Sequence, residues 1–196
     1  TGQLAGDVAI GRLVLHADGS YNRTGDLRIG GFALTPPRRA EALASSLVPA
    51  DPADPEPIDF AANAAVRGRL PNTASETWTA GFGASLITDT GMIGVSYGHY
   101  DSLYGVPVRY ATQVGEGQEA PRLDIVQNRV DLRAEVETGG GYLDRIKFRA
   151  GHATYRHFEL EPDGEIATRF FNNGFEGRLE LVQATRGVWS GASGVQ

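Results

Sequence analysis

Cysteine is absent from this chain of 196 residues, which excludes disulfide staples and thiolate metal sites and suits a bacterial envelope protein as well as a cytosolic one. No run approaches the roughly 20 apolar residues of a membrane helix, so a helical span is excluded while a membrane barrel, whose strands merely alternate, is not. Basic surplus is also missing: 18 Lys and Arg stand against 24 Asp and Glu, for a net charge of -6. With no basic run for phosphate contacts, a nucleic-acid role is excluded. The chain has no G-x-S-x-G elbow, H-E-x-x-H pair, Walker loop or paired-carboxylate constellation, so it is not expected to be an enzyme and implies no cofactor. TGGGY from Thr138 reads as a turn, not a phosphate cradle. Thr1 begins no signal peptide, which is expected of a processed chain or a fragment.

What the chain does hold is glycine, proline and alternation. Twenty-six Gly and 10 Pro beside a single Met favour turns and strands over helices. Across residues 122–182 three segments alternate apolar and charged side chains with period two. In the first, Val126, Val130, Leu132, Ala134 and Val136 share one face, and Gln127, Arg129, Asp131, Arg133 and Glu135 the other. Ile146, Phe148 and Ala150 alternate likewise with Arg145, Lys147 and Arg149, and Phe171, Phe175, Leu179 and Leu181 with Glu176, Arg178 and Glu180. An antiparallel register that matches opposite charges sets Asp131 by Arg149, Arg149 by Glu176, Glu135 by Arg145 and Arg145 by Glu180. It leaves one misfit, Lys147 between Arg133 and Arg178.

Seven strands are predicted, near residues 8–21, 75–87, 91–101, 122–137, 142–158, 168–184 and 188–196. The only helix-like stretch, 38–48, lies between Pro36-Pro37 and the proline-rich run 49–57, inside a long loop over 36–72. TDTG at 88–91, TGGG at 138–141 and TRG at 185–187 read as tight turns, whereas strands one and two, and three and four, are joined by long segments. Short turns on one side and long loops on the other are how outer-membrane barrels are built. Trp78 and Phe171 are expected at the loop end and Tyr142 and Trp189 at the turn end, as interfacial aromatics. A soluble antiparallel sheet would produce the same period two, its apolar face being core and its charged face wet. Against it stand the strand lengths, which exceed the usual five or six residues, and the want of a second sheet.

The segments GMIGVSYGHYDSLYGVP (91–107), LDIVQNRVDLRAEVE (123–137), TYRHFE (154–159) and ATRFFNNGFEGRLELVQ (167–183), with the closing GASGVQ, resemble the β-barrel of TonB-dependent outer-membrane receptors. The resemblance runs from about Val8 to Gln196 and is most specific from residue 78 onward. It implies an all-β fold: a segment of an antiparallel, up-and-down transmembrane β-barrel, with residues 1–196 forming part of one barrel domain. The family adds a plug domain with an energy-coupling box and about 22 strands. Plug, remaining strands and a terminal aromatic residue are all wanting here, so an internal piece is expected. The resemblance further implies a Gram-negative outer-membrane location, uptake of a scarce solute such as a siderophore or metal chelate, contact with membrane lipid, and energy received from TonB through the missing plug. The rivals are a passive porin-like channel, an outer-membrane β-barrel enzyme, and a soluble β-sandwich binding module.

On the face that would line the lumen, Arg129, Arg133, Arg145, Lys147, Arg149 and Arg178 are candidate receivers of anionic ligand groups; cross-strand ion pairs are the plainer reading. His157 and Glu159, two apart on that face, are candidate metal ligands, though two ligands are too few. His99 and His152 fall on the opposite parity, and His16 has no partner in view. Tyr104 to Pro107, YGVP, begins the second long loop, as a ligand-contacting segment or a plain strand-ending turn.

Overall fold

The computed structural model describes residues 1–54 and 57–196; Pro55 and Glu56 of the proline-rich run lie outside it. The described elements are β1 (Gly2–Ile10), β2 (Leu13–Thr24), β3 (Leu27–Phe32), α1 (Pro36–Ser45), α2 (Phe60–Ala65), β4 (Arg67–Leu70), β5 (Ser75–Thr88), β6 (Gly91–Gly105), β7 (Arg122–Glu137), β8 (Leu143–Leu160), β9 (Ile166–Gln183) and β10 (Ala192–Val195). Eight of the strands make one sheet in the order β1-β2-β5-β6-β7-β8-β9-β10, every neighbour antiparallel, and β3 pairs with β4 apart from it. The fold is therefore mostly antiparallel β. The sheet is open, not closed into a barrel, with β1 and β10 at its edges.

Ten strands replace the expected seven. The segment read as one strand over 8–21 belongs to a hairpin: Ile10 and Leu13 pair across Gly11-Arg12, and Gly11 takes φ 61°, which the two-residue turn requires and glycine supplies without strain. The parity of the apolar positions flips there, from Val8 and Ile10 to Leu13 and Leu15. The long loop also carries structure of its own. The helix-like stretch becomes α1, begun by Pro36 and Pro37, where a missing N–H costs nothing. α2 begins at Asp59, whose carboxylate accepts from the Ala62 N–H at 2.8 Å.

The connections fall into two sets at opposite ends of the strands. At the turn end are Gly11-Arg12, Asp89-Thr90, residues 138–142 and residues 184–191; at the loop end are the described residues of the β2–β5 connection (25–54 and 57–74), 106–121 and 161–165. In the turn after β7, Gly139, Gly140 and Gly141 all take positive φ. The pairing lies two residues from the expected one on both sides of β8, and the β8–β9 ladder shifts register between Leu143 and Arg145. Asp131 faces Gly151, Arg133 faces Arg149, Glu135 faces Lys147 and Glu137 faces Arg145. On the far side Lys147 faces Glu180, Arg149 faces Arg178 and Gly151 faces Glu176.

Parity survives that shift, because a two-residue slip keeps each side chain on its face. One face holds rows such as Leu15–Ala84–Val95–Leu132–Ala150–Gly177 and Leu13–Leu86–Ile93–Ala134–Phe148–Leu179. This face is uncovered: Leu4 is 81% exposed, Phe175 77% and Val8 57%. On the other face, residues from β1, β2 and β5 to β9 border one shared hollow, so the sheet curls toward its charged side. Trp78 and Phe171 fall in one cross-strand row at the loop end of the convex face, with Tyr21. Tyr142 and Trp189 lie in turn-end connections.

Among the described residues, most of the fully buried side chains lie away from the sheet. Ala42, Ala64, Ala111, Asn63 and Thr112 are buried where the two long loops meet, and Ser102 near the end of β6. Asn63 Nδ2 donates to the Ala111 carbonyl at 2.9 Å and to Gln118 Oε1 at 2.6 Å. Arg39 lies over the Phe32 ring with its guanidinium carbon 3.4 Å from the centroid, and its Nε donates to the Ala64 carbonyl. The loops thus form a small polar-cored cap over the loop end.

Close strand approach makes a sharp prediction at Gly91, where an added Cβ would run into the Glu135 carbonyl oxygen and the Val136 Cα. Backbone cannot move aside as a flexible side chain does, so Gly91→Ala is expected to destabilise the folded chain by about 1–3 kcal/mol. Gly98→Ala, with open space around its Cβ, should change stability far less in the same thermal unfolding series. Equal losses in both variants would contradict the β6–β7 register.

Candidate functional site

The concave face is a ladder of charges whose pairing follows from the register. Gly151 sits between Asp131 and Glu176, and its missing side chain leaves room for Arg129 to lie across the strand. A Cβ there would come 3.0 Å from Asp131 Oδ1, 3.1 Å from Arg129 Nη2 and 3.3 Å from Glu176 Oε1. Arg129 uses that space as a fork: Nε donates to Asp131 Oδ2 at 2.7 Å, and Nη2 to Asp131 Oδ1 at 2.7 Å and Glu176 Oε1 at 2.8 Å. Bidentate geometry of this kind is what the planar guanidinium favours.

Toward the turn end Arg145 Nη1 donates to Glu135 Oε1 at 2.8 Å, and its Nη2 lies 3.7 Å from Glu137 Oε1. Lys147 Nζ reaches Glu180 Oε1 at 3.2 Å, and Arg178 Nη2 reaches Glu180 Oε2 at 2.9 Å. Arg133 is left a 3.9 Å approach to Glu135. Arg149 has no ion-pair partner among the described residues. Of the six cationic candidates, four are therefore committed to carboxylates and one is loosely held. These pairs are half-exposed, so each contributes little to stability; their effect is to fix where free positive charge remains.

The hollow measures about 680 Å³, within the size range of small-ligand sites. Arg129, Arg133, Arg149 and Arg178 border it, with Asp7 and His16 on β1 and β2 and Gly83, Ser85, Gly94 and Ser96 on β5 and β6. Arg145 and Lys147 lie nearer the turn end, outside its lining.

The histidines separate by face. His157 and Glu159 do share the concave side; His157 Nδ1 is 3.3 Å from the Tyr155 hydroxyl, its Nε2 is buried with no hydrogen-bond partner among the described residues, and its ring packs against Phe170 at 5.5 Å. Among the described residues no group of three or more His, Cys, Asp or Glu is placed to hold a metal ion. His99 and His152 lie on the convex face, His99 stacked on Trp78 at 4.3 Å with Nδ1 2.8 Å from Asn128 Oδ1. His16, expected to be alone, is held on both sides: Nδ1 is 2.8 Å from Asp7 Oδ1 and Nε2 3.0 Å from Asp18 Oδ2. Reading β1 and β2 as one strand hid Asp7, for which the parity flip at Gly11-Arg12 was the available signal; Asp18 shares the strand and face of His16 and was legible from period two.

The YGVP segment works as the base of a loop. Val106 N–H donates to the Pro121 carbonyl at 3.0 Å, and Asn72 Nδ2 donates to both the Val106 and Pro121 carbonyls at 2.9 Å. Asn72, at φ 57°, has the only left-handed backbone of any non-glycine among the described residues. It ties the two long loops together, and no sequence motif marked it.

A scan against protein-family models finds none that matches this chain, and a search of the curated proteins finds no match.

Loop geometry rather than motif also holds the tip of the second loop. Glu116 Oε2 accepts the Thr112 N–H at 2.7 Å and the Gln113 N–H at 3.1 Å, and these two backbone donors hold its carboxyl below the usual carboxylate range. Glu41 is held down as well, chiefly by Arg38, whose Nη1 donates to it at 2.8 Å. A depressed carboxyl stabilises the folded loop above its unfolded pKa and loses that contribution as pH falls through its folded pKa. Hydrogen-exchange protection of the Thr112 and Gln113 amides should therefore be high near pH ~7 and drop on acidification below pH ~4. Glu116→Gln should lower protection at neutral pH and abolish the drop; protection independent of pH in the unmutated chain would contradict the capping role.

Proposed function

We propose that this chain is part of the wall of a transmembrane β-barrel in a TonB-dependent receptor of a Gram-negative outer membrane, importing a scarce solute such as a siderophore or metal chelate. The observation that carries the proposal is the uncovered convex face. More than a dozen large apolar side chains are exposed there, and burying each fully is worth about 1.5–3 kcal/mol. Half of that sum, about 10–20 kcal/mol, is as large as the whole marginal stability of a folded domain, about 5–15 kcal/mol. A face of this size needs an apolar environment, and the described residues supply no second layer, which weighs against a soluble sandwich.

The dimensions agree with a bilayer. From Phe171 to Leu181 the convex side of β9, apolar but for Asn173, runs about 33 Å at ~3.3 Å per residue; a tilt of about 45° projects this to ~23 Å, near the ~25 Å apolar band of outer-membrane barrels. In this reading the convex side chains meet lipid, the concave ladder lines a wet lumen, and the loop cap faces outward to capture ligand. The open edges at β1 and β10 pair with further strands, since backbone in a bilayer must be fully hydrogen-bonded. TonB acts through a plug seated in the lumen, and the chain carries out no covalent chemistry.

Single cysteines placed in the full receptor test the faces. Cysteine at Phe148, Phe175 or Leu179 is expected to react with lipid-phase probes, and cysteine at Lys147 or Arg178 with aqueous ones. The reverse pattern, or aqueous labelling on both faces, would defeat the barrel reading. Solute uptake that stops when the inner-membrane proton gradient is collapsed would mark an energised receptor; uptake indifferent to it would mark a passive channel.

A further inference from the structure

The concave ladder contains one row in which charges do not alternate. Arg133 on β7, Arg149 on β8 and Arg178 on β9 face one another directly across two strand pairs, and like charges so placed destabilise a sheet. With strands about 4.8 Å apart, the three stems rise within about 10 Å of each other. Nearby carboxylates relieve the row unevenly: Glu180 holds Arg178 at 2.9 Å but also takes Lys147. Glu135 is given to Arg145 at 2.8 Å and touches Arg133 only at 3.9 Å. Asp131 and Glu176 are taken by Arg129, so nothing among the described residues pairs with Arg149. The row continues into Gly94 and Ser85, whose small side chains leave the hollow beside the guanidinium groups open.

We infer that Arg133, Arg149 and Arg178 form a binding site for a small anion carrying two or more charged oxygen groups, a di- or tricarboxylate or a phosphate ester. Three guanidinium forks on adjacent strands match several oxygens at once, whereas one carboxylate would leave the outer arginines unrelieved. The inference deepens the receptor reading and rests on it only in treating the concave face as a water-filled passage. There the row is a station on the turn-end half of the wall, past the point of capture at the loop cap.

Calorimetric titration of the detergent-solubilised receptor with citrate and with inorganic phosphate, at low salt, tests the site. Saturable binding of one of them is expected, weakened about tenfold or more by Arg149→Gln and left within about twofold by Arg12→Gln, which removes one charge from a turn-end ion pair. A second readout separates a binding role from a structural one. Without anion, Arg149→Gln should raise the thermal midpoint by relieving repulsion; saturating anion should reverse the order of the two proteins. No binding of either anion, or equal weakening by Arg149→Gln and Arg12→Gln, would overturn the site. The titration needs no bilayer, so its failure is distinct from a failure of cysteine labelling to find lipid on the convex face.

Discussion

Most of the large apolar side chains of the main sheet lie on one convex face, where no other layer among the described residues meets them, and the remaining features of the molecule follow from that constraint. Antiparallel pairing satisfies the interior backbone groups of the sheet, so the strands can lie in a medium that offers no hydrogen bonds. Strands of 14 to 18 residues in the sheet's centre exceed the length that crosses a bilayer, and under the proposed barrel reading their surplus carries the loop cap clear of the apolar band. A conventional core is then unnecessary. Burial concentrates instead in the cap, where Asn63 and Thr112 exchange hydrogen bonds with the neighbouring loop.

On the concave side the same alternation places charge, and curl gathers it. Arg129 spans two strands because Gly151 vacates the space between them. The acidic residues are unevenly placed along the ladder, and the register decides which cation goes without. Small residues on β5 and β6, Gly83, Gly94 and Ser96 among them, keep the hollow open between the His16 side and the arginine row. Pairing and vacancy on this face have one origin, the register set by the turn at residues 138–142 and the shift that follows it.

Much of this was legible in the residues themselves. Face assignment needed only parity, which is why Phe148, Leu179, Lys147 and Arg178 fell on their expected sides even though the pairing slipped by two. Charge matching could not fix the register, because either alignment leaves one cation between two others: Lys147 in the expected one, Arg149 in the observed one. The difference lay in backbone geometry, three consecutive positive-φ glycines and an irregularity at Asp144, that carries no side-chain signature. The β1–β2 hairpin was missed because Gly11-Arg12 interrupts an apolar run without proline or asparagine, and with it went Asp7 as a partner of His16. The cap escaped for a different reason: its contacts join residues far apart in sequence, Asn63 to Ala111 and Asn72 to Pro121, and no periodicity announces them.

The most direct measurement of the central claim is the environment of Trp78, which lies on the convex face in the row with Tyr21 and Phe171. With Trp189→Phe leaving it the only tryptophan in the chain, its fluorescence can be read in bilayers whose acyl chains carry bromine and, separately, against aqueous acrylamide. Strong quenching by the brominated lipid and weak quenching by acrylamide is the expected result. Full quenching by acrylamide with no response to the lipid would place water on the convex face, and weak quenching by both would place protein there; either contradicts it.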